Sequence, residues 1–580
     1  MKTLLLHVPK LEDFYLPFGR YMNINYMPMG LLALAHHLNR SGHPCQVVHA
    51  GIEKILDPAF AAANLVRDLD VAAVGLPLHW HYQAYDVAQA AARIKAARPD
   101  LFVFLGGITA SYFGLAALEA IPAADAVVVG EGFEPTRLLL DALDHGRDLA
   151  HVPNLAWRGP HGTLRNPATL LHPQAFVDSL VYADFTPLRH HEAYVAQFGF
   201  PLAYSWELSP EENRKLMTMG RSFFPLFVGS GCPRSCTYCC GNAKTQARIN
   251  HGHRILWRSQ DAVLEDVRAA LAAGYRTMAL CFDPMPESTP YFVELFRRMK
   301  RETPAADLYF EAWSLPDPAF IDAFADAFEP PHSYLALSPD TGDEALRKAN
   351  KGYHYSNAQL LETADLLLRK GIQMDVFFSI GFPRETAALA LGTRDLMRRM
   401  ADTYRNIRRL MVWAVQIEPG SPMFEDPSRF GIVSNRRTLS DYIRVHGAGA
   451  DAYTALGYRI PGFFGDARDR PVTRPAADPG SIASAIGWID PADPAAGAER
   501  DAIAAFERDI QQFKCMEFCF HAKDPRVYNN PVLGRQACLD KRRLLAQRRQ
   551  AALPDRPISD DCSWADALER ERPAGPRIEI

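Results

Sequence analysis

The chain has 580 residues, room for three or four domains at ~150 residues each, and its 63 Lys and Arg against 67 Asp and Glu give a formal charge of −4, which excludes the basic field that a nucleic-acid partner needs. Apolar residues at 48% and charged residues at 22% exclude a disordered chain, and the lack of any run of ~18 apolar residues leaves no expected membrane span. Ten cysteines are too few for a disulfide scaffold, and three of them within eight residues point to metal in a reducing, cytoplasmic setting.

In chain order, residues 1–150 alternate short apolar runs with helical stretches. Thr3–Val8 looks briefly like a signal peptide, but its run is short and Lys10, Glu12 and Asp13 follow at once, so it reads as a first buried strand. Gln46–His49, Val71–Leu76, Leu101–Leu105 and Ala126–Val129 are the next four strands. A helix begins at Pro28, with Leu31, Leu34, Ala35 and Leu38 on one face and Gly42 beyond its end; another spans Ala84 to Ala97. Five strands with helices between them predict a doubly wound parallel, Rossmann-like sheet, whose ligands bind outside the carboxyl ends of the strands. Three such ends carry distinctive loops: His79-Trp80-His81 after strand three, Gly106-Gly107-Ile108-Thr109 after strand four, and Gly130-Glu131-Gly132 after strand five. The last has two glycines of a dinucleotide fingerprint, but Pro135 replaces the third and the loop follows the wrong strand, so that reading is set aside.

Residues 151–222, rich in Pro, His and aromatics, read as a connector. From 223 to 425 alternation resumes, with strands expected at Leu226–Gly229, Thr277–Phe282, Asp307–Ala312, Ser333–Leu337, Gln373–Ile380 and Met411–Ile417. Helices follow Ser356, with Leu360, Leu361, Ala364, Leu367 and Leu368 on one face, and run from Asp261 to Ala273. Six such units predict an incomplete (β/α)6 barrel of TIM type, with its chemistry at the carboxyl ends. Residues 426–580 are expected to form a mostly helical cap.

The sharpest motif lies at the mouth of the first barrel strand. Cys232, Cys236 and Cys239 stand at CxxxCxxC spacing, which holds three irons of a [4Fe–4S] cube and leaves the fourth without a cysteine. Zinc would call for a second CxxC or histidines nearby, and none is present. With Tyr238 before the last cysteine, this motif resembles that of the radical S-adenosylmethionine (SAM) enzymes. The resemblance implies that SAM chelates the free iron, that Tyr238 lies against its adenine, and that Cys240 does not ligate.

Pro28-Met29-Gly30 through Ala35, Gly106-Gly107 and Val129-Gly130-Glu131-Gly132 resemble the cobalamin-binding domain of one branch of that family. Ser338-Pro339-Asp340-Thr341-Gly342, Leu346 through Gly352, Gly381-Phe382-Pro383-Arg384-Glu385-Thr386 and Glu418-Pro419-Gly420-Ser421-Pro422 resemble that branch's later barrel strands. The resemblance therefore implies three cofactors: a [4Fe–4S] cluster on Cys232, Cys236 and Cys239; SAM near Tyr238, Asp283, Ser338 and Ser379; and cobalamin near His79, Trp80, Gly106, Gly107, Ile108, Thr109, Gly130, Glu131 and Gly132. Two departures are visible. The Asp-x-His-x-x-Gly motif that supplies a lower cobalt ligand in other cobalamin proteins is absent, so His79 and His81 either ligate cobalt or pack beside it. Phe282-Asp283-Pro284 replaces a Gly-Gly-Glu, so Asp283 either accepts a hydrogen bond from the methionyl ammonium or caps its own turn.

Tyr309 and Glu311, two apart on a strand, share a face. Cys515, Cys519, His521 and Cys538 are either a second metal site or buried thiols, and Cys45, Cys281 and Cys562 read as core or surface thiols. The resemblance implies a methyltransferase acting through methylcobalamin and a 5′-deoxyadenosyl radical on an unactivated carbon of a small molecule or peptide, with flavodoxin or ferredoxin as electron donor. A non-methylating radical enzyme and a non-enzymatic cobalamin or redox sensor are the rival readings.

Overall fold

The computed structural model describes residues 1–9, 27–197 and 222–447 apart from short interruptions, together with 21–23, 203–205 and 473–475. Asp283, Cys515, Cys519, His521, Cys538 and most of the expected helical cap lie outside the described residues.

The first sheet has seven strands. Five are parallel: β1 (Thr3–His7), β2 (Cys45–His49), β3 (Ala73–Pro77), β4 (Phe102–Gly106) and β5 (Ala126–Val128). They stand in the order β2-β1-β3-β4-β5, which reverses direction between β1 and β3 and opens a crevice at their carboxyl ends. Helices α1 (Met29–Arg40), α2 (Ala84–Ala97), α3 (Ile108–Phe113) and α4 (Phe133–Asp144) cover the faces. The strands are apolar throughout because both faces are covered. Helix α1 buries Leu32, Ala33, Ala35 and Leu38, whereas Leu31 and Leu34 of the expected face are only half-buried. The helix wedges between the sheet and α4, so its buried stripe is wider than one row of contacts.

Residues 151–222 do more than connect. Strands β6 (Leu155–Gly159) and β7 (Gly162–Arg165) form a hairpin that adds antiparallel to β5. Further on, the backbone amides of Tyr182 and Ala183 each donate to Asp266 at 3.1 Å. Asp266 is also buried against Arg258, at 2.7 Å, on the flank of the second sheet.

The second sheet is six parallel strands in sequence order, β8 (Phe223–Pro225), β9 (Thr277–Leu280), β10 (Asp307–Ala312), β11 (Tyr334–Asp340), β12 (Gln373–Ile380) and β13 (Ile407–Ala414). Among the described residues β13 does not pair back to β8, so the barrel is open. The first strand is Phe223–Pro225, not Leu226–Gly229; Gly229–Ser230 pairs instead with Leu256–Trp257 beside the barrel mouth. A continuous apolar run hides this shift, and Pro225 is tolerated because β8 is an edge strand. The other five expected strands are present within a few residues, and β13 begins earlier than expected.

Caps set the helix starts. Ser356 accepts from the Gln359 amide at 3.1 Å while the Gln359 side chain accepts from the Ser356 amide at 2.9 Å, a reciprocal box worth ~1 kcal/mol that opens α10 (Asn357–Arg369), after α5 (Ala243–Ile249), α6 (Gln260–Ala272), α7 (Thr289–Glu302), α8 (Pro318–Ala327) and α9 (Glu344–Asn350). After the barrel, α11 (Leu439–Gly447) returns to α2, with Leu439 and Tyr442 buried in the first sheet's core. No described helix is long and apolar enough to cross a membrane.

Candidate active site between two carboxyl edges

Both sheets turn their carboxyl edges toward a common interface. Tyr112 of α3 hydrogen-bonds Glu425. Arg248 of α5 reaches the same carboxylate at 2.7 Å and lies over the Tyr112 ring. Gly420 threads between them: a Cβ there would sit 2.8 Å from both Thr245 and Tyr112. Tyr238, Leu346 and Phe382 of the barrel mouth join the apolar core of the first sheet.

The cysteine loop is gripped from three sides. Thr237 donates its amide to the Asn350 carbonyl at 2.9 Å, Ala243 donates to Arg234 at 3.0 Å, and Met423 donates to Thr237 at 2.9 Å. The Gly352 amide donates to Cys236 Sγ at 3.2 Å, and the Gly241 amide to Cys239 Sγ at 3.2 Å. Such donors steady a sulfur that carries charge. Burial pushes the Cys236 and Cys239 thiols up, so both are protonated until a metal's charge displaces the proton. Among the described residues no three His, Cys, Asp or Glu side chains converge on a single ion. A four-iron cube asks for something else, one thiolate on each of three irons, and Cys232, Cys236 and Cys239 stay partly open for that purpose. Cys240 is buried, and its amide donates to Glu418 at 2.7 Å.

Behind the loop lies a buried charge network that the sequence alone does not reveal. Lys351 Nζ pairs with Asp340 at 2.9 Å and donates to the Ser338 carbonyl at 2.7 Å. Tyr238 donates to the same Asp340 carboxylate at 2.8 Å. The network therefore fixes Tyr238, the expected adenine neighbour, and Ser338 together. Asp340 has φ +63° after a bulge in β11, and fully buried Arg347 holds that bend through the carbonyls of Pro339, Thr341 and Tyr355. Ser379 stands half-buried near the end of the neighbouring β12.

Within the barrel, Phe223, Ala279, Tyr309, Tyr334 and Ala336 form an inward-facing apolar cluster. Above it Glu311 accepts from the Cys281 thiol at 3.2 Å and from the Tyr309 hydroxyl at 3.3 Å. Tyr309 and Glu311 thus share the inward face. Cys281 is neither a core nor an outer-surface thiol: its surface is open, yet surrounding protein and the Glu311 carboxylate push it well up, which places it in the lumen, protonated.

The first sheet's edge is made differently. Gly106 has nothing within 4 Å of where a Cβ would be, and Gly107, at φ +93°, would drive a Cβ into the Leu78 carbonyl at 2.8 Å. Thr109 donates its hydroxyl to the His79 carbonyl at 2.8 Å, while Ile108 is half-buried. Trp80 is 36% exposed and meets the His79 ring at right angles, 4.6 Å between centroids. His79 is open at its surface, and the surrounding protein pushes its imidazole down to about 4. Burial also lowers His7 to about 4 and His49 well below its ordinary value. Gly130, at φ +79°, packs on Asn250, and Gly132 precedes α4. The Glu131 carboxylate is taken up by His172, which offers its ring at 2.7 Å and its amide at 3.0 Å. His81 is buried against Tyr442, with ring centroids 5.0 Å apart.

Comparisons with known proteins agree with this geometry. A family model described as the radical SAM superfamily matches residues 226–396, and one described as a B12 binding domain matches residues 23–140. A protein of Pyrococcus horikoshii named "Uncharacterized methyltransferase PH0819" is 23% identical over 389 residues, 67% of this chain and 75% of that one. Among solved structures, the radical S-adenosylmethionine methyltransferase TsrM from Kitasatospora setae has a TM-score of 0.56 at 17% identity, covering 75% of this chain and 78% of its own. The cobalamin-dependent S-adenosylmethionine radical enzyme OxsB has a TM-score of 0.54 at 11% identity, covering 98% of this chain and 83% of its own. At these identities the structures share the fold. The two family matches and the loop of three cysteines give this chain a B12-binding domain followed by a radical SAM domain, with a [4Fe–4S] cluster, S-adenosylmethionine and cobalamin as the cofactors.

Proposed function

We propose that this enzyme is a methyltransferase that moves a methyl group from SAM, by way of cobalamin, to an unactivated carbon of a small molecule or peptide. The observation that carries the reading is the placement of the cysteine loop and the glycine- and histidine-lined edge on facing sides of one interface. When bound, the cluster supplies the electron that cleaves SAM and cobalamin carries the methyl group. The chain's own residues bind and shield. Cys232, Cys236 and Cys239 hold the cluster; Tyr238 and Ser338, fixed by Asp340 and Lys351, border the nucleoside; and Ser379 completes that wall. Asp283 is proposed to take the methionyl ammonium. His79, Trp80, Gly106, Gly107, Ile108, Thr109, Gly130, Glu131 and Gly132 form the cobalamin-facing edge. The enclosed lumen at Cys281 and Glu311 keeps water from a reactive carbon.

The names of the Pyrococcus protein and of TsrM support methyl transfer. An electron donor such as flavodoxin or ferredoxin is part of the proposal, with its docking face left open. Anaerobic turnover with SAM labelled in its methyl group tests the reading: label in the product, together with 5′-deoxyadenosine, is expected. A product that forms without label overturns methylation in favour of a ring-forming or oxidative radical reaction.

A further inference from the structure

Three histidines, His7, His49 and His79, sit at the carboxyl ends of β1, β2 and β3, at the point where the strand order reverses. Their rings are not equivalent. His49 is 1% exposed, and its Nδ1 caps the following helical turn by accepting from the Gly51 and Ile52 amides at 3.0 and 3.4 Å. His7 is half-buried and packs its ring on His49, 4.5 Å between centroids. Nearby His81 is 2% exposed and packed on Tyr442. His79 alone of these has an open ring, and among the described residues that ring makes no hydrogen bond.

The ring is nevertheless held still. The His79 carbonyl accepts from the Thr109 hydroxyl at 2.8 Å and from the Thr109 amide at 3.3 Å. The Leu78 amide donates to Gly106 at 2.7 Å. Gly107 leaves the space above Leu78 and His79 that a side chain would fill, and Trp80 braces the ring edge-on. An imidazole with an open nitrogen, on a braced loop at the ligand-binding edge of a B12-binding domain, is free to ligate a metal, and its second nitrogen finds no partner among the described residues.

We propose that His79 is this protein's own ligand to the lower face of cobalt when cobalamin is bound. The inference rests on the cobalamin reading of the first domain and adds a residue to it. The ligand comes from the loop after the third strand, so its position differs from that of the motif histidine that this chain lacks.

The test uses the full-length chain, prepared without oxygen and loaded with cobinamide, which has no nucleotide base and so brings no imidazole nitrogen of its own. Electron paramagnetic resonance of the Co(II) form is expected to show each cobalt line split in three by one nitrogen. Labelling the protein with 15N-histidine is expected to turn three lines into two, and His79→Ala is expected to abolish the splitting while His81→Ala preserves it. The labelling arm needs no variant, so a folding defect in His79→Ala does not decide the result. Bound cobinamide with unsplit lines, or a splitting that survives His79→Ala, overturns the inference while leaving the cobalamin reading intact. Failure to bind any corrinoid overturns both.

Discussion

The two carboxyl edges that face each other are built on opposite principles. The barrel's edge is electrostatic: a buried Lys351–Asp340 pair, Glu418 under the cysteine loop, and Glu311 with a thiol and a phenol. The first sheet's edge is steric: Gly106 and Gly107 leave room, Trp80 and uncharged imidazoles line it, and its ion pair at Glu131 is turned aside to His172. The contrast matches the cofactors. An anionic iron–sulfur cube and a sulfonium zwitterion need fixed charge, whereas a broad corrin ring needs a surface shaped to admit it. Mutations at the two edges therefore differ in what they break.

The largest effect belongs to the cluster ligands. Cys236→Ala is expected to give colourless protein without iron or sulfide and to abolish turnover, while Cys240→Ala, eliminating a buried thiol outside the three-cysteine spacing, keeps both. Iron and sulfide analysis after anaerobic reconstitution reads the difference. If Cys236→Ala keeps its cluster, the assignment of the loop fails.

Next comes the charge network. Lys351→Met leaves Asp340 buried without a cation, at a cost of about 3–5 kcal/mol. Thermal unfolding measures it, and the Tyr238 anchor goes with it, so weaker SAM binding is expected in the fraction that folds. A drop comparable to a surface pair's would show that the Lys351–Asp340 pair does not anchor the fold. Backbone fit follows. In Gly352→Ala the new Cβ would sit 2.5 Å from the Ser235 nitrogen and 3.1 Å from that of Cys236, against backbone that cannot step aside. A cost of about 1–3 kcal/mol is expected, together with poor cluster loading. On the other edge, Gly107→Ala forces a positive φ on a residue with a side chain and pushes it into Leu78, costing about 1–3 kcal/mol. Cobalamin binding is expected to fall there while cluster loading stays, which separates the two edges directly.

Much of this plan was legible from residues alone, and the limits have physical causes. Short apolar runs bounded by Gly, Pro and capping residues locate the parallel strands, because strands covered on both faces carry no polar interruptions. Ser356 with Gln359 announces its helix for the same local reason. The hairpin at Leu155–Arg165 escaped because its outer strand is exposed and half polar; the Gly162 turn was the available clue. Long-range partners are a different matter. Nothing in Lys351 says that it will meet Asp340, nor in Cys281 that it will face Glu311, since the first contact exists only once α9 folds back on β11 and the second only once β9 and β10 are side by side. Periodicity does place Glu311 on one face with Tyr309, but choosing which face needs the assembled sheet.

The smallest effect concerns pH and the one carboxylate that the steric edge does possess. Burial opposes charge on Glu131, but the His172 ring and amide outweigh it and hold the carboxyl below its ordinary 4.5. A folded value lower than the unfolded one means that the unfolded chain binds more protons in the window between them, so stability rises with pH there. The contribution is complete above about 4.5 and is lost as pH falls through the folded value. Other carboxylates titrate in the same range, so the informative quantity is a difference. Glu131→Gln is expected to melt a few degrees below the parent at pH 7, and the gap is expected to close as both are taken to pH 4 and lower. The clamp joins the loop after β5 to the segment following the hairpin and touches neither the cysteine loop nor the Lys351 network. Cluster loading is therefore expected to stay constant in the variant. A gap that widens on acidification would show that the clamp does not hold a charged Glu131, and would overturn the lowered carboxyl on which the prediction stands.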